Sequence, residues 1–121
     1  MSTTLPRLTF QQAKLAKEKG FDWPVRAYYT IPNEILNENE LLANCNATEW
    51  WVSAPENALF LQWARKVKGV YGFVVPNIDY YDPIPCFEIR FGLFSNLGIG
   101  GDFDDYPEAE SALIDEILKL L

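Results

Sequence analysis

Residues Ser53 to Gly69 read SAPENALFLQWARKVKG, and the fold class turns on how this stretch is read. Ser53 and Glu56 stand at the spacing of a capping box, with the Ser hydroxyl and the Glu carboxylate each closing an open backbone N–H. Pro55 fits a first helical turn, where a missing N–H costs nothing. Phe60, Trp63, Ala64 and Val67 recur at i, i+3, i+4 and i+7 and form one apolar stripe. Arg65, Lys66 and Lys68 crowd the end of the stretch, where cations complement the helix dipole. Gly69 supplies a left-handed terminating residue. The spacing therefore predicts a central helix starting at Ser53, entered from a short strand at Glu49–Val52 and left through a strand at Val70–Val75.

Nearer the start of the chain, Thr9 and Gln12 form a second capping box, and a helix runs to about Lys19. Gly20 ends it, and Phe21 folds back as in a Schellman cap. Val25 to Ile31 is aromatic and β-branched, which predicts a strand. Met1–Arg7 reads as a loose start, and the Asn-rich stretch Asn33–Thr48 as a long loop. Cys86–Phe91 alternates, with Phe87, Ile89 and Phe91 on one face and Glu88 and Arg90 on the other. It is expected to pair with the strand before it as an antiparallel hairpin. Gly92–Asp104 reads as glycine-rich and irregular. Asp105 caps a final helix, with Pro107 in its first turn and Ala109, Leu113, Ile117 and Leu120 in its apolar stripe. The expected fold is an α+β domain of order α-β-β-α-β-β-α. It has a small mixed or antiparallel sheet, three helices mainly on one face, and a strand–helix–strand crossover at the centre.

The chain has 121 residues, which is the length of one domain, 1–121. Hydrophobic residues make up 49% and charged residues 22%, a globular composition. The net charge of -7 disfavours direct nucleic-acid binding, which needs clustered cations. The sequence has no histidine, so the commonest general base and metal ligand is missing. Cys45 and Cys86 match no metal or redox spacing. No long apolar run predicts a membrane span or a leader, so a cytoplasmic protein with reduced thiols is expected.

Three stretches, LAKEKGFD (15–22), SAPENALFLQWARKVKGV (53–70) and DDYPEAESALIDEILKLL (104–121), resemble a group of short phage and prophage-type proteins. The resemblance lies in caps and core positions over most of the chain. It implies one compact domain of mobile-element origin and transfers no activity, cofactor or site residue.

The motifs that carry chemistry are weak. Leu97–Asp102 has the glycines of a phosphate cradle but neither the strand–helix context nor a lysine. Asp102, Asp104 and Asp105 are the candidate metal ligands, yet their spacing fits no EF-hand, and carboxylates at a helix start are expected for dipole reasons alone. Ser53 has no histidine to activate it. No catalytic constellation and no cofactor are expected, and the chain reads as a non-enzyme. The suggestive feature is the set of paired aromatics, Tyr28-Tyr29, Trp50-Trp51 and Tyr80-Tyr81. In extended chain one member of each pair faces away from the helices and needs cover from a loop, a second subunit or a ligand. The expected function is thus protein–protein contact through this face, with a homodimer as one form of it. The alternatives are an acidic mimic of nucleic acid that blocks a DNA-binding protein, and a small-ligand binder using the aromatic face with Arg26, Arg90 or Glu88.

Overall fold

A computed structural model describes residues 6–77, 86–93, 96–103 and 105–121. The α+β class holds, with three α-helices and six strands among the described residues. The chain divides into two compact units, Met1–Trp63 and Ala64–Leu121, described in turn. The strands form two three-stranded antiparallel sheets and not one sheet. The strands before and after the central helix lie in different sheets, so the expected crossover within one sheet is not formed.

The first unit opens with α1 (Phe10–Glu18). Its capping box is present, Thr9 Oγ1 accepting from Gln12 N at 3.2 Å and Gln12 Oε1 from Thr9 N at 3.0 Å. Its end is a Schellman cap: Phe21 N donates to Ala16 O, Gly20 N donates to Lys17 O, and Gly20 has φ +95°. The cap turns Phe21 into the core, where it is buried. The strands β1 (Val25–Thr30), β2 (Leu36–Ala43) and β3 (Trp51–Ser53) come next, in spatial order β2-β1-β3.

Much of Asn33–Thr48, expected as a loop, is therefore β2 plus a 3₁₀ turn at Cys45–Ala47. The sequence LNENELLA shows little apolar alternation because β2 is an edge strand. An edge strand is held by backbone bonds and favours charge on its surface. The turn is pinned by Asn46, whose amide donates to Phe21 O at 2.8 Å and accepts from Ser53 N at 2.7 Å.

The central helix is shorter than its sequence suggests. Ser53 ends β3, and α2 spans Asn57–Trp63. The first residues of α2 are tied by backbone and not by a Ser hydroxyl. Asn57 N donates to Pro6 O at 2.9 Å, Leu8 N to Pro55 O at 3.0 Å, and Arg7 forms a backbone bridge with Glu56. These bonds occupy the segment where a capping box would form. They also show that residues 6 and 7 are not part of a loose start.

The second unit begins with a π-helical turn, Ala64–Lys68, ended by Gly69 at φ +70°. The wider π turn changes the angular step per residue, so Val67 leaves the expected stripe. Phe60, Trp63 and Ala64 are fully buried, whereas Val67 is 53% exposed. Strands β4 (Val70–Asn77), β5 (Cys86–Leu93) and β6 (Asn96–Phe103) form the second sheet in that order. The expected β4–β5 hairpin pairing is present. The stretch expected to be irregular supplies β6. Its glycines fit this pairing, because Gly98 and Gly100 stand opposite Phe91 and Ile89, small against large.

The last helix, α3 (Tyr106–Leu120), packs on this sheet. Asp105 caps it, accepting from Glu108 N at 2.8 Å. Ala109, Leu113, Ile114, Ile117 and Leu118 are buried, while Leu120 in the last turn is exposed. Gly72 lets the helix approach closely: a Cβ there would meet Ile117 Cδ1 at 2.5 Å. Because Gly72, Phe91 and Gly98 are lateral partners, one large ring lies between two glycines under α3. The other face of the sheet carries the Tyr71–Phe73 stack and the Glu88–Arg90 ion pair at 3.2 Å.

Ser53 Oγ is buried and makes no hydrogen bond among the described residues. A cap lost to alanine would cost about 1 kcal/mol. A buried hydroxyl without a partner carries a desolvation cost instead. Ser53→Ala is therefore expected to leave stability unchanged or to raise it by up to about 1 kcal/mol. The measurement is the denaturant midpoint at constant m-value, and a fall in that midpoint would restore Ser53 as a cap.

Candidate functional site

Strand parity sorts the aromatics of the first sheet. Tyr28 and Thr30 alternate onto one face of β1, and Ala27 and Tyr29 onto the other. Tyr28 pairs with Ser53 and Thr30 with Trp51, so Trp51 lies diagonally across from Tyr28 on the same face. The two rings stack, with centroids 4.3 Å apart and planes 30° apart. Both keep solvent access, Tyr28 half-buried and Trp51 exposed. Trp50, in the turn just before β3, is 68% exposed.

That turn is braced from α1. Lys17 Nζ donates to Thr48 O at 2.6 Å and to Trp51 O at 2.9 Å. The ammonium thus bridges two carbonyls that flank Trp50. Trp50 N donates to Thr48 Oγ1 at 3.3 Å, and Ile31 N donates to Trp50 O at 2.9 Å, which ties the turn back to the end of β1. Exposure of Trp50 is therefore a held conformation, with its backbone bonded on both sides. The charges beside the Trp50 turn cancel: Lys17 is cationic, and Glu49 is anionic.

Tyr29 faces the opposite way and is already engaged. Its hydroxyl donates to Leu8 O at 2.7 Å, and its ring meets Phe10 edge-on at 5.7 Å. Burial raises its phenol pKa, and the Arg7 charge opposes that rise. The structure thus brings Tyr28 and Trp51 together, leaves Trp50 exposed in the adjoining turn, and sends Tyr29 to α1. Tyr80 and Tyr81 lie outside the described residues.

Of the candidate metal ligands, Asp105 serves as the α3 cap, and Asp104 lies outside the described residues. Asp102 sits on β6 opposite Glu88. Among the described residues no group of three or more His, Cys, Asp or Glu is placed to hold a metal ion. Cys45 is a buried thiol outside any disulfide, and burial raises its pKa, the reverse of an activated nucleophile. Of the polar groups expected around a ligand, Arg90 and Glu88 pair with each other, while Arg26 lines a cavity of about 570 Å³ in the first unit.

Sequence reasoning missed Lys17, which reads as one more cation on a helix surface. Its partners are carbonyls 31 and 34 residues away, and a carbonyl leaves no trace in side-chain pattern. Comparison of the chain with protein-family models, with curated proteins and with solved structures finds no match.

Lys17→Met keeps the aliphatic stem and removes both charge-assisted bonds to the turn. Such bonds are worth about 1.5–3 kcal/mol when well formed, and partial exposure reduces this to about 1 kcal/mol here. The variant is expected to lose about 1 kcal/mol of stability and to show increased quenching of tryptophan emission by acrylamide. Emission and midpoint identical to wild type would mean that Lys17 does not hold the turn.

Proposed function

We propose that this chain is a non-enzymatic interaction protein, of phage-like origin as the sequence resemblance implies, that docks a protein partner on the Tyr28–Trp50–Trp51 face. The observation that carries this reading is the stacked Tyr28–Trp51 pair beside a Trp50 that is 68% exposed and bonded in place. Exposed indole costs free energy in water unless something covers it. Tyrosine and tryptophan bring large contact area at small rotamer cost, which is why they dominate contact centres. The near cancellation of local charge lets an acidic chain approach a partner there, a second copy included. Two-fold symmetry would then use the same patch twice.

An acidic mimic of nucleic acid has less support. It needs unpaired carboxylates along one face, whereas Glu38, Glu88 and Glu116 each stand within ion-pair distance of a cation. Among the described residues no helix is long and apolar enough to cross a membrane.

The test compares wild type with Trp50→Ser and Tyr28→Ser by sedimentation equilibrium over a wide concentration range and by capture of proteins from the native host cell. Truncating a ring at the centre of a contact costs about 2 kcal/mol or more. Association, with itself or with a captured protein, is expected to weaken about 30-fold in each variant while the fold is kept. A monomeric wild type whose captured proteins are the same as those of both variants would contradict the reading.

A further inference from the structure

We propose that the first unit binds a second kind of ligand, a small zwitterion with an apolar body of the class of a free di- or tripeptide, where β1 and β2 part. The ladder between these strands pairs Val25 with Ala43 and next Ala27 with Glu38. A single residue of β1, Arg26, thus faces four residues of β2, 39–42, and the two strands separate at that point. Such bulges re-aim side chains and recur beside binding sites. The cavity of about 570 Å³ opens at this bulge, within the range of about 300–1,000 Å³ that accommodates small ligands.

Its chemistry is layered. Val25, Ala54 and Pro55 line it and are buried, which makes an apolar floor. Arg7, Arg26, Glu38 and Glu56 supply the charges. Arg7 Nη2 stands 3.5 Å from Glu38 Oε1, so these two serve one another. Among the described residues Arg26 and Glu56 have no ion pair, which leaves one guanidinium and one carboxylate for a ligand. Among the described residues the lining charges cancel, so a bare anion meets two carboxylates and a bare cation meets two guanidinium groups. A zwitterion satisfies both: its carboxylate takes the fork of Arg26, and its ammonium takes Glu56. An apolar side chain then covers the floor, where its burial adds to affinity. The volume exceeds a single small amino acid and suits two or three residues.

This site is distinct from the aromatic face and does not depend on it. The probe is leucyl-phenylalanine, added to the full chain to about 10 mM, which spans the millimolar affinities of an open site. Backbone amide NMR signals of Val25, Arg26, Ala54 and Glu56 are expected to shift and saturate. Arg26→Gln and Glu56→Gln, both away from the core, should each weaken binding about fivefold, and the N-acetylated, C-amidated dipeptide should bind about tenfold more weakly. Trp50→Ser should bind the dipeptide like wild type. Shifts that fail to saturate, equal binding of the capped dipeptide, or unchanged affinity in both Gln variants would overturn the proposal. So would loss of binding in Trp50→Ser, which would place the peptide on the aromatic face.

Discussion

The first unit depends on three rings. Trp63 meets Phe21 edge-on at 5.2 Å and Phe60 at 5.6 Å, and Phe21 and Phe60 stand 6.3 Å apart. All three are buried to within 1%. Their positions come from local rules. The spacing i, i+3 puts Phe60 and Trp63 on one side of α2. The Schellman cap at Gly20 turns Phe21 inward at the end of α1. The cluster therefore couples the end of one helix to the side of another, far apart in sequence.

The effect of that coupling reaches the surface. With the end of α1 fixed, Lys17 is placed to set its ammonium against the carbonyls of Thr48 and Trp51. At the other end, the ring of Phe10 meets Tyr29, whose hydroxyl bonds Leu8 O. Tyr29 is held inward, and strand parity then sends Tyr28 outward onto Trp51. The exposed face is thus a consequence of how the core is closed. The same strand carries the bulge at Arg26, so β1 presents a ring at one point and a charge at another.

Much of this was legible in the sequence because it rests on local chemistry. The Thr9–Gln12 box, the glycines at 20 and 69, the Asp105 cap and the β4–β5 alternation each depend on residues within a few positions of one another. The separation of Tyr28 from Tyr29 is also local, since strand parity needs only neighbours. Features set by partners distant in sequence escaped. β2 is polar and becomes a strand because β1 offers a ladder. β6 is glycine-rich and becomes a strand because Phe91 and Ile89 need small residues opposite. The helix start moved from Ser53 to Asn57 because Pro6 and Leu8 supply backbone bonds that no side-chain pattern announces. Val67 left its stripe because of a π turn. The Lys17 brace has the same origin, a side chain bonded to remote carbonyls.

If the Trp63 cluster fixes α1 and through it the aromatic face, removing the indole must disturb both. The decisive measurement is denaturant unfolding of Trp63→Ala, joined to the NMR signals of Lys17, Thr48 and Trp50 in the variant. The expected result is a loss of about 3–5 kcal/mol, a large part of the stability of a chain this small, together with shifts at all three residues. A cooperatively folded Trp63→Ala protein of near-native stability, with those signals unmoved, would contradict it.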